Sequence, residues 1–501
     1  MSILALDIGQ SGAKGIIFRE DGNILYSLYK EYNMLFPQPG YIEIDSFSMW
    51  LTIKDLIKQL NSKITNDPVS AVSVSTFGES FVPIDKKDNI LSNIICPGDA
   101  RSKELLEHII ENLGLDVIYN ITGLTPSYLY SLSKILWIKK YNESVYSKTA
   151  KFLLMEDMFY KLLGMEDTKI SYSLSSRTMF FDITQKQWSK SILDKLNVDI
   201  DLFSEPKPSG TVIGVVPRKE REELGFIKDK VYLVIGGHDQ PCVALGSGVI
   251  KNGMCTDGVG TVECLAATFD RLIINDKMKK NYFCCEPHTL SGLYLAIAFN
   301  MTAGSLIKWY KNTMGRIEFI ESVKLKKDFY NYIYSKLDDK PSDLLVFPYF
   351  GPSATPYFYD KPLGTIMGLS LDTRPDDILK AILEGLVYEI KYNLQLLNKC
   401  GIEVAELRST GGGSRSDYWM QIKSNILEIP VYRMKIDEAG CLGTFILSGV
   451  ATGIFKDYVE AIGNTIKIDR VFEPKSENIE KYSSKYEKYT RLFDIIKDIL
   501  S

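Results

Sequence analysis

The chain has 501 residues, a length that predicts two or more domains, each with its own core. Its hydrophobic content of 45% and charged content of 24% are typical of a globular protein, and its net charge of −4 excludes a general attraction to nucleic acid or to an anionic membrane. The first residues enter an apolar strand pattern without a signal-like segment, and no apolar stretch of about 18 residues occurs. We therefore expect a cytoplasmic protein that has neither nucleic-acid nor membrane partners.

The cysteines and histidines give little support to a structural zinc site. The eight cysteines are scattered without a CxxC pair, and the three histidines lie far apart in sequence. We expect reduced, mostly buried thiols, which are typical of cytosolic proteins.

The first half opens with a strand, a Gly-rich turn and a second strand. Ser2–Leu6 is predicted as the first strand, Asp7–Lys14 as the turn and Gly15–Phe18 as the next strand. Val69–Ser75 is predicted as a further strand, and residues 100–165 have a mostly helical pattern.

The second half repeats this opening. Residues 254–267 are again predicted to form a strand, a Gly-rich turn and a strand, which suggests an internal duplication. A Pro/Gly-rich segment before the Val231 strand places the expected boundary near residue 245, between domains 1–245 and 246–501. Strands and helices alternate, so the predicted class is α/β, although the hairpins argue against a purely parallel sheet.

The first Gly-rich turn has the composition of a phosphate-binding segment. Its glycines let backbone N–H groups close around phosphate oxygens, while Ser11 and Lys14 add a hydroxyl and a positive charge. Asp7, at the strand end, is a candidate ligand of Mg²⁺, directly or through water. A plain β-turn with a surface lysine is the alternative. No GxxxxGK[ST] occurs, and no GxGxxG follows a strand, so neither a P-loop nor a dinucleotide fold is indicated.

Two further glycine turns fit the same chemistry. Gly258–Thr261 is a second hairpin, and two such hairpins from two half-domains would clamp a nucleoside triphosphate. Gly411–Ser414 lies between a strand and a helix, where three glycines allow a ring or a phosphate to approach the backbone. A simple hairpin turn and a flexible loop are the respective alternatives.

One carboxylate is placed to act as a base. The apolar run Val231–Ile235 leads into Gly236–Gln240, which exposes Asp239 directly after a predicted buried strand. Phosphoryl transfer requires positioned phosphates, a metal, and a base that takes the proton of the attacking hydroxyl. For Asp239 the alternative is a helix N-cap or turn residue. For Glu79, which follows the Val69–Ser75 strand, the alternative is a solvated loop carboxylate. His238 fits a packed or hydrogen-bonding neighbour better than a metal ligand.

In chain order these segments resemble the FGGY family of carbohydrate kinases over nearly the whole length. Besides the turns and residues 237–240, the resemblance is carried by Gly40–Asp45 with Trp50, Asp99–Arg101, Lys134 with Leu136 and Trp137, Phe347–Phe350 through Gly364, Gly368 with Leu369, Glu384 with Gly385, and the run from Gly411 to Ser416. The resemblance implies two actin-like, ribonuclease-H-fold domains with ATP and a sugar in the cleft between them. It also implies transfer of the γ-phosphoryl group of ATP to a hydroxyl of a ketose or polyol.

The resemblance also implies roles for individual residues. Asp239 would be the catalytic base, and Asp7 would organise Mg²⁺. The implied ATP contacts are Gln10, Ser11, Gly12, Lys14, Gly260, Thr261, Gly304, Gly411, Gly412, Gly413 and Ser416. The implied sugar contacts are Phe77, Gly78, Glu79, Asp239 and Gln240. One departure is Gln10, since the family usually has Thr there, but a glutamine amide can also donate to a phosphate oxygen.

The sugar is less well defined. Xylulose kinases commonly carry Gln-Met-His-Gly where this chain has Ser75-Thr76-Phe77-Gly78, a segment more similar to fuculose and rhamnulose kinases. Glu79 resembles half of the Arg-Glu pair of glycerol kinases, but Gly78 replaces the Arg. The sequence thus predicts a kinase for a pentulose such as xylulose or a deoxyhexulose such as fuculose. A glycerol or other polyol kinase, an inactive sugar- and nucleotide-binding relative, and an actin-like or chaperone-type ATPase are the alternatives. A homodimer is one expected assembly, and the oligomeric state stays open.

Overall fold

Two large β-sheets, one from each half of the chain, organise the computed structural model, which describes residues 1–64, 66–436 and 438–500. The strands of the first half are β1 (Ser2–Ile8), β2 (Gly12–Arg19), β3 (Ile24–Glu31), β4 (Met34–Leu35), β5 (Glu43–Ile44), β6 (Val69–Thr76), β7 (Phe81–Ile84), β8 (Ile94–Ile95), β9 (Lys151–Leu154), β10 (Lys169–Ser171), β11 (Phe181–Asp182), β12 (Gln187–Trp188), β13 (Glu205–Lys207), β14 (Val212–Val215) and β15 (Tyr232–His238). The strands of the second half are β16 (Gly253–Val259), β17 (Glu263–Phe269), β18 (Glu286–Pro287), β19 (Tyr294–Asn300), β20 (Leu345–Phe347), β21 (Thr365–Met367), β22 (Val404–Thr410), β23 (Val431–Met434) and β24 (Ile468–Phe472).

The helices cover the sheets and join the two halves. They are α1 (Ser46–Asn61), α2 (Leu105–Leu113), α3 (Leu115–Thr122), α4 (Ser131–Tyr141), α5 (Glu143–Tyr146), α6 (Met155–Leu162), α7 (Tyr172–Ser176), α8 (Lys190–Lys195), α9 (Arg218–Glu223), α10 (Asp239–Gly246), α11 (Asp276–Lys280), α12 (Ala303–Asn312), α13 (Arg316–Lys324), α14 (Phe329–Tyr334), α15 (Pro375–Lys399), α16 (Asp417–Leu427), α17 (Ala439–Ala451), α18 (Tyr458–Thr465), α19 (Ile479–Tyr489) and α20 (Leu492–Leu500). Among the described residues, none of these helices is both long enough and apolar enough to cross a bilayer.

The two large sheets repeat one topology. The first has the order β14-β15-β6-β1-β2-β3, and the second contains β19-β17-β16-β22-β23 in the same arrangement of hairpin and parallel strands. In each sheet the opening strand pairs antiparallel with the next strand and parallel with a later one: β1 with β2 and β6, and β16 with β17 and β22. This repeat confirms the internal duplication that the sequence suggests, and the predicted α/β class with it.

The first Gly-rich turn is shorter than the sequence predicts. The antiparallel ladder of β1 and β2 continues through the pairs Asp7–Lys14 and Ile8–Ala13, so the turn consists only of residues 9–11. The prediction of a turn over Asp7–Lys14 was therefore wrong, because backbone pairing extends the strands into a glycine-containing segment. As a result, Asp7 and Lys14 project from paired strands and not from a loop.

Helix α17 belongs to the second half by sequence but packs on the sheet of the first half. It contacts β1, β6, β15 and α10. Its Phe445 ring lies 4.8 Å from the Phe18 ring, inside an apolar cluster that includes Ile3, Ala5 and Leu442. Burial of this shared apolar surface fixes the two halves against each other at one end of the cleft.

A buried charge cluster lies at the root of the second hairpin. Asp257 of β16 pairs in register with Ser409 of β22, as Asp7 pairs with Ser75 in the first sheet. Lys423 contacts both Asp257 and Glu263, and all three side chains have 0% exposure. Burial raises the pKa of Glu263, and the Lys423 ammonium opposes that rise. Lys423 therefore compensates two carboxylates that have no access to water.

We expect Lys423→Met to lower the free energy of unfolding by about 3–5 kcal/mol, because it leaves two buried carboxylates without their cation. Urea unfolding followed by far-UV circular dichroism measures the loss. Lys336→Met is the matched control, since Lys336 pairs with Glu321 at the surface, where solvent screens the interaction, and a much smaller loss is expected. Equal losses in the two variants would contradict the structural role of the cluster.

Candidate active site

Asp239 lies at the junction of a strand and a helix. It is the first residue of α10, directly after β15, so its carboxylate lies at the amino-terminal end of the helix, where anions are stabilised. Its Oδ1 is buried and has no hydrogen-bond partner among the described residues, although His238 Nε2 lies 3.1 Å away. The side chain as a whole is 36% exposed, so the accessible surface lies on the part that includes Oδ2. One oxygen is therefore held inside the protein and the other faces outward.

His238 links Asp239 to a carboxylate of the second half. Its Nδ1–H donates to Glu286 Oε1 at 2.6 Å, while its Nε2 faces Asp239. Burial lowers the pKa of His238, but Glu286 and Asp239 outweigh that effect and raise it to about 9. Burial, Glu79 and Glu286 raise the pKa of Asp239, and the positive charge of His238 lowers it. The imidazolium thus favours the anionic form of Asp239.

The predicted sugar-binding loop lies beside Asp239. Residues 77–79 follow β6, whose last residue, Thr76, pairs with His238 of β15. Phe77 is buried in the core of the first half, and Glu79 is also buried, with a side chain that is only 11% exposed. The alternative of a solvated loop carboxylate at Glu79 is therefore wrong, because Arg177 pairs with this carboxylate.

Arg177 and Gln240 complete the surroundings of Asp239. Arg177 donates to Glu79 Oε1 from Nε at 2.7 Å and from Nη2 at 2.5 Å, and its Nη1 lies 3.3 Å from Glu286 Oε2. Gln240 Oε1 accepts a hydrogen bond from Cys264 Sγ at 3.1 Å, which connects the start of α10 to β17. Side chains from both halves therefore meet around Asp239.

Most of the implied ATP contacts in the second half line one cavity. Its volume is about 660 Å³, in the usual range for a small-molecule site. The residues concerned are Gly260, Thr261, Gly304, Gly412, Gly413 and Ser416. Ser416 also caps α16, since its Oγ accepts a hydrogen bond from the Trp419 backbone N–H at 3.1 Å. The structure thus brings together residues that lie more than 150 positions apart in sequence.

The glycines around this cavity differ in the space that a side chain would find at each position. A Cβ on Gly304 would lie 2.3 Å from the Gly260 carbonyl oxygen, and one on Gly413 would lie 2.3 Å from Val259 Cγ1. Among the described residues, nothing lies within 4 Å of the position that a Cβ on Gly412 would take. Gly304 and Gly413 therefore permit close packing, whereas Gly412 leaves open space at the cavity wall.

The residues of the first turn lie on the other half. Gln10 and Ser11 are exposed at its tip, and Gly12 is buried at the start of β2. Lys14 forms an ion pair with Glu438, which lines a second cavity, of about 920 Å³, together with Gly411 and Ser416. The Lys14 ammonium, implied as a phosphate contact, is thus paired with a carboxylate that lies just before α17.

Asp7 has surroundings that suit a cation. Ser75 Oγ donates to its Oδ1 at 2.8 Å, and burial raises the pKa of Asp7 to about 7, with Asp239 and Glu438 adding to the rise. Within the described part of the chain, no group of three or more His, Cys, Asp or Glu side chains could hold a metal ion. A cation that keeps most of its water ligands and takes one or two carboxylates, as Mg²⁺ does, fits this donor set.

Three residues of the site have no marker in the sequence. Arg177 follows a serine-rich helix, Glu286 follows a pair of cysteines, and Glu438 precedes an apolar helix. Each reaches the site only through a long-range contact, so no local motif indicates it.

Comparison with known proteins identifies the class to which this fold and site belong. The model of the N-terminal domain of the FGGY family of carbohydrate kinases matches residues 2–246, and that of the C-terminal domain matches residues 260–452. The chain belongs to the FGGY family of carbohydrate kinases, and it is a kinase that uses ATP.

Individual relatives span the whole chain. A xylulose kinase from Staphylococcus epidermidis is 26% identical over 99% of this chain and 97% of its own length. A glycerol kinase from Francisella tularensis subsp. novicida is 28% identical over 95% of this chain and 94% of its own. Among solved structures, a xylulose kinase from Rhodospirillum rubrum has a TM-score of 0.90 at 17% identity, covering 100% of this chain and 99% of that one. This similarity supports the two-domain, actin-like fold that the resemblance implied.

The two glycines at the cavity wall allow a paired test. Gly413→Ala should lower both the thermal midpoint and ADP affinity, because its Cβ would collide with Val259 and the Trp419 ring, at a cost of about 1–3 kcal/mol. Gly412→Ala should leave the thermal midpoint unchanged and weaken ADP binding by roughly tenfold. Thermal melting without nucleotide and calorimetric ADP titration measure the two effects. Unchanged ADP affinity in Gly412→Ala would indicate that the nucleotide does not reach this wall.

Proposed function

We propose that this kinase phosphorylates a ketose or polyol, with Asp239 as the base and a pentulose such as xylulose as the first candidate acceptor. The observation that carries the proposal is the two-sided setting of Asp239. One carboxylate oxygen is held beside His238, and the loop of residues 77–79 begins at the neighbouring strand end and packs against His238. A carboxylate in this setting is oriented, and the His238 imidazolium favours its anionic form, which is the form that a general base needs.

In the proposed mechanism each group of residues performs one task. The turns at residues 9–12 and 258–261 hold the phosphates of ATP. Asp239 accepts the proton of the sugar hydroxyl while the hydroxyl oxygen bonds to the γ-phosphorus, and the bond between the γ-phosphorus and the bridging oxygen breaks to release ADP. Asp7 would hold Mg²⁺, which, when bound, neutralises charge on the phosphates. His238 remains protonated and orients the base. Closure of the two halves would exclude water, which otherwise competes as acceptor.

Two observations bear on the acceptor. Relatives named xylulose kinase align over nearly the whole chain, which supports a pentulose. The contact of Arg177 with Glu79 favours glycerol or another polyol as the second candidate, because another segment supplies the arginine that position 78 lacks.

The demand for ATP and the eight buried free thiols support a cytoplasmic location.

A coupled ADP-release assay across ketoses, polyols and sugar acids tests the function. We expect turnover that depends on a ketose or polyol, and we expect Asp239→Asn to reduce it by about 10²–10⁴-fold while ADP affinity is retained, because only the base is lost. Asp229→Asn, a change at an exposed carboxylate, is the control for general damage. Full activity in Asp239→Asn would refute the assignment of the base, and acceptor-independent hydrolysis would favour an ATPase.

The role of His238 predicts a change in the pH profile. Removing its positive charge in His238→Gln should raise the pKa of Asp239, because burial, Glu79 and Glu286 raise this pKa and His238 is the largest effect that lowers it. The acid limb of kcat/KM, which reports protonation of the base, should therefore move to higher pH. Profiles of the wild type, His238→Gln and the exposed-site control His108→Gln, measured from pH 5 to 9, check this. An acid limb that does not move would show that His238 does not act on the base.

A further inference from the structure

Five charged side chains form a continuous network around the base. In spatial order they are Glu79, Arg177, Glu286, His238 and Asp239, and we call them the charge network. Four of them come from the first half, and Glu286 is contributed by β18 of the second half. The network therefore spans the two halves at the place where the proposed acceptor would lie.

Arg177 occupies the centre of the network. Its guanidinium lies over the Tyr130 ring at 5.2 Å and contacts Glu79 on one side and Glu286 on the other. A guanidinium has five N–H donors, and the described contacts with carboxylates use three of them, which leaves two for a ligand. The side chain is 12% exposed, so it is not completely enclosed by its partners.

Gly78 allows this arrangement. A Cβ at position 78 would lie 3.0 Å from Arg177 Cγ and 3.1 Å from His238 Cδ2, which is closer than such contacts normally are. Arg177 and His238 therefore pack against the loop at the point where a side chain would otherwise separate them. Gly78, the residue at which this chain differs from glycerol kinases in sequence, thus leaves room for the arginine that follows α7.

The charges of the network do not favour an anion. Its three carboxylates face two cations, and both cations are already engaged by carboxylates. The nearby Lys134 is fully buried, and its ammonium donates to the backbone carbonyls of Leu129 and Glu79. A carboxylate on the acceptor would therefore lose its hydration beside three carboxylates, and every nearby cation is already engaged.

We propose that Arg177 is a specificity-determining residue that donates to an acceptor hydroxyl away from the reacting one, and that its enclosing carboxylates select uncharged polyhydroxy acceptors over sugar acids. This inference rests on the proposed sugar-kinase function and narrows its acceptor class. It assigns to Glu286 a role in selection, because this carboxylate holds Arg177 and His238 at the same time.

Two conservative variants test the proposal against the wild type. Arg177→Lys keeps the charge but loses the planar fork, so the KM of the neutral acceptor should rise about tenfold while the KM of ATP is unchanged. Glu286→Gln removes one negative charge and keeps the shape, so kcat/KM for a sugar acid relative to the neutral sugar should rise about tenfold. Glu389→Gln, a change at a buried carboxylate bonded to Tyr489 and Asn393, is the matched control and should alter neither quantity.

The probes are the neutral ketose preferred by the wild type and the five-carbon aldonic acid xylonate, each measured by turnover and by calorimetric binding. Wild type should favour the neutral sugar over xylonate by at least about a hundredfold.

Two outcomes would overturn the proposal while the kinase function stands. One is an unchanged ratio of kcat/KM for xylonate to kcat/KM for the neutral sugar in Glu286→Gln. The other is an equal change in the KM of the acceptor and the KM of ATP in Arg177→Lys. If no acceptor is turned over, the proposed function fails, and the binding of xylulose and xylonate to wild type and Arg177→Lys still decides the inference. Binding selective for xylulose and weakened in Arg177→Lys would support it; binding that is unselective or insensitive to Arg177→Lys would refute it.

Discussion

The site depends on three parallel strands that end at the same level. Strand β6 lies between β1 and β15, and its last residue, Thr76, pairs with Ile8 on one side and with His238 on the other. Because the register aligns these residues, the carboxylate of β1, the loop after β6 and the base after β15 emerge side by side. Each functional segment begins where its strand stops, and the loop after β6 then turns through Glu79, a non-glycine residue in the left-handed region with φ of 61°.

Two aspartates at equivalent strand positions of the duplicated sheet have different surroundings. Asp7 and Asp257 occupy equivalent positions, and each accepts a hydrogen bond from a serine on the neighbouring parallel strand. Asp7 is surrounded by other carboxylates at the cleft, whereas Asp257 is enclosed with Lys423 in the interior. In our proposal the aspartate of one half supports ligand chemistry while its counterpart supports the fold of the other, and the difference lies in the residues that surround each aspartate.

The sequence was informative wherever function depends on a local pattern. The existence of the glycine turns, of the strands beside them and of the strand that precedes Asp239 was predicted correctly, although the strand ends were not, and the repeated hairpin indicated the duplication of the sheet. The extent of the first turn was predicted wrongly, since local composition does not reveal how far a ladder of paired strands continues. Arg177, Glu286 and Glu438 could not be predicted, because their positions at the site follow from packing between segments that are distant in the chain.

The packing of α17 on the first sheet has a consequence for biosynthesis. One face of β1 and β2, with Ile3, Ala5 and Phe18, is covered by α17, a helix that begins at Ala439 and is synthesised long after these strands. Until then, the first half emerges from the ribosome with an apolar surface that its own residues do not cover. Such surfaces bind chaperones or aggregate. The packing of α17 that holds the two halves together therefore also determines how long the apolar surface of the nascent chain needs protection.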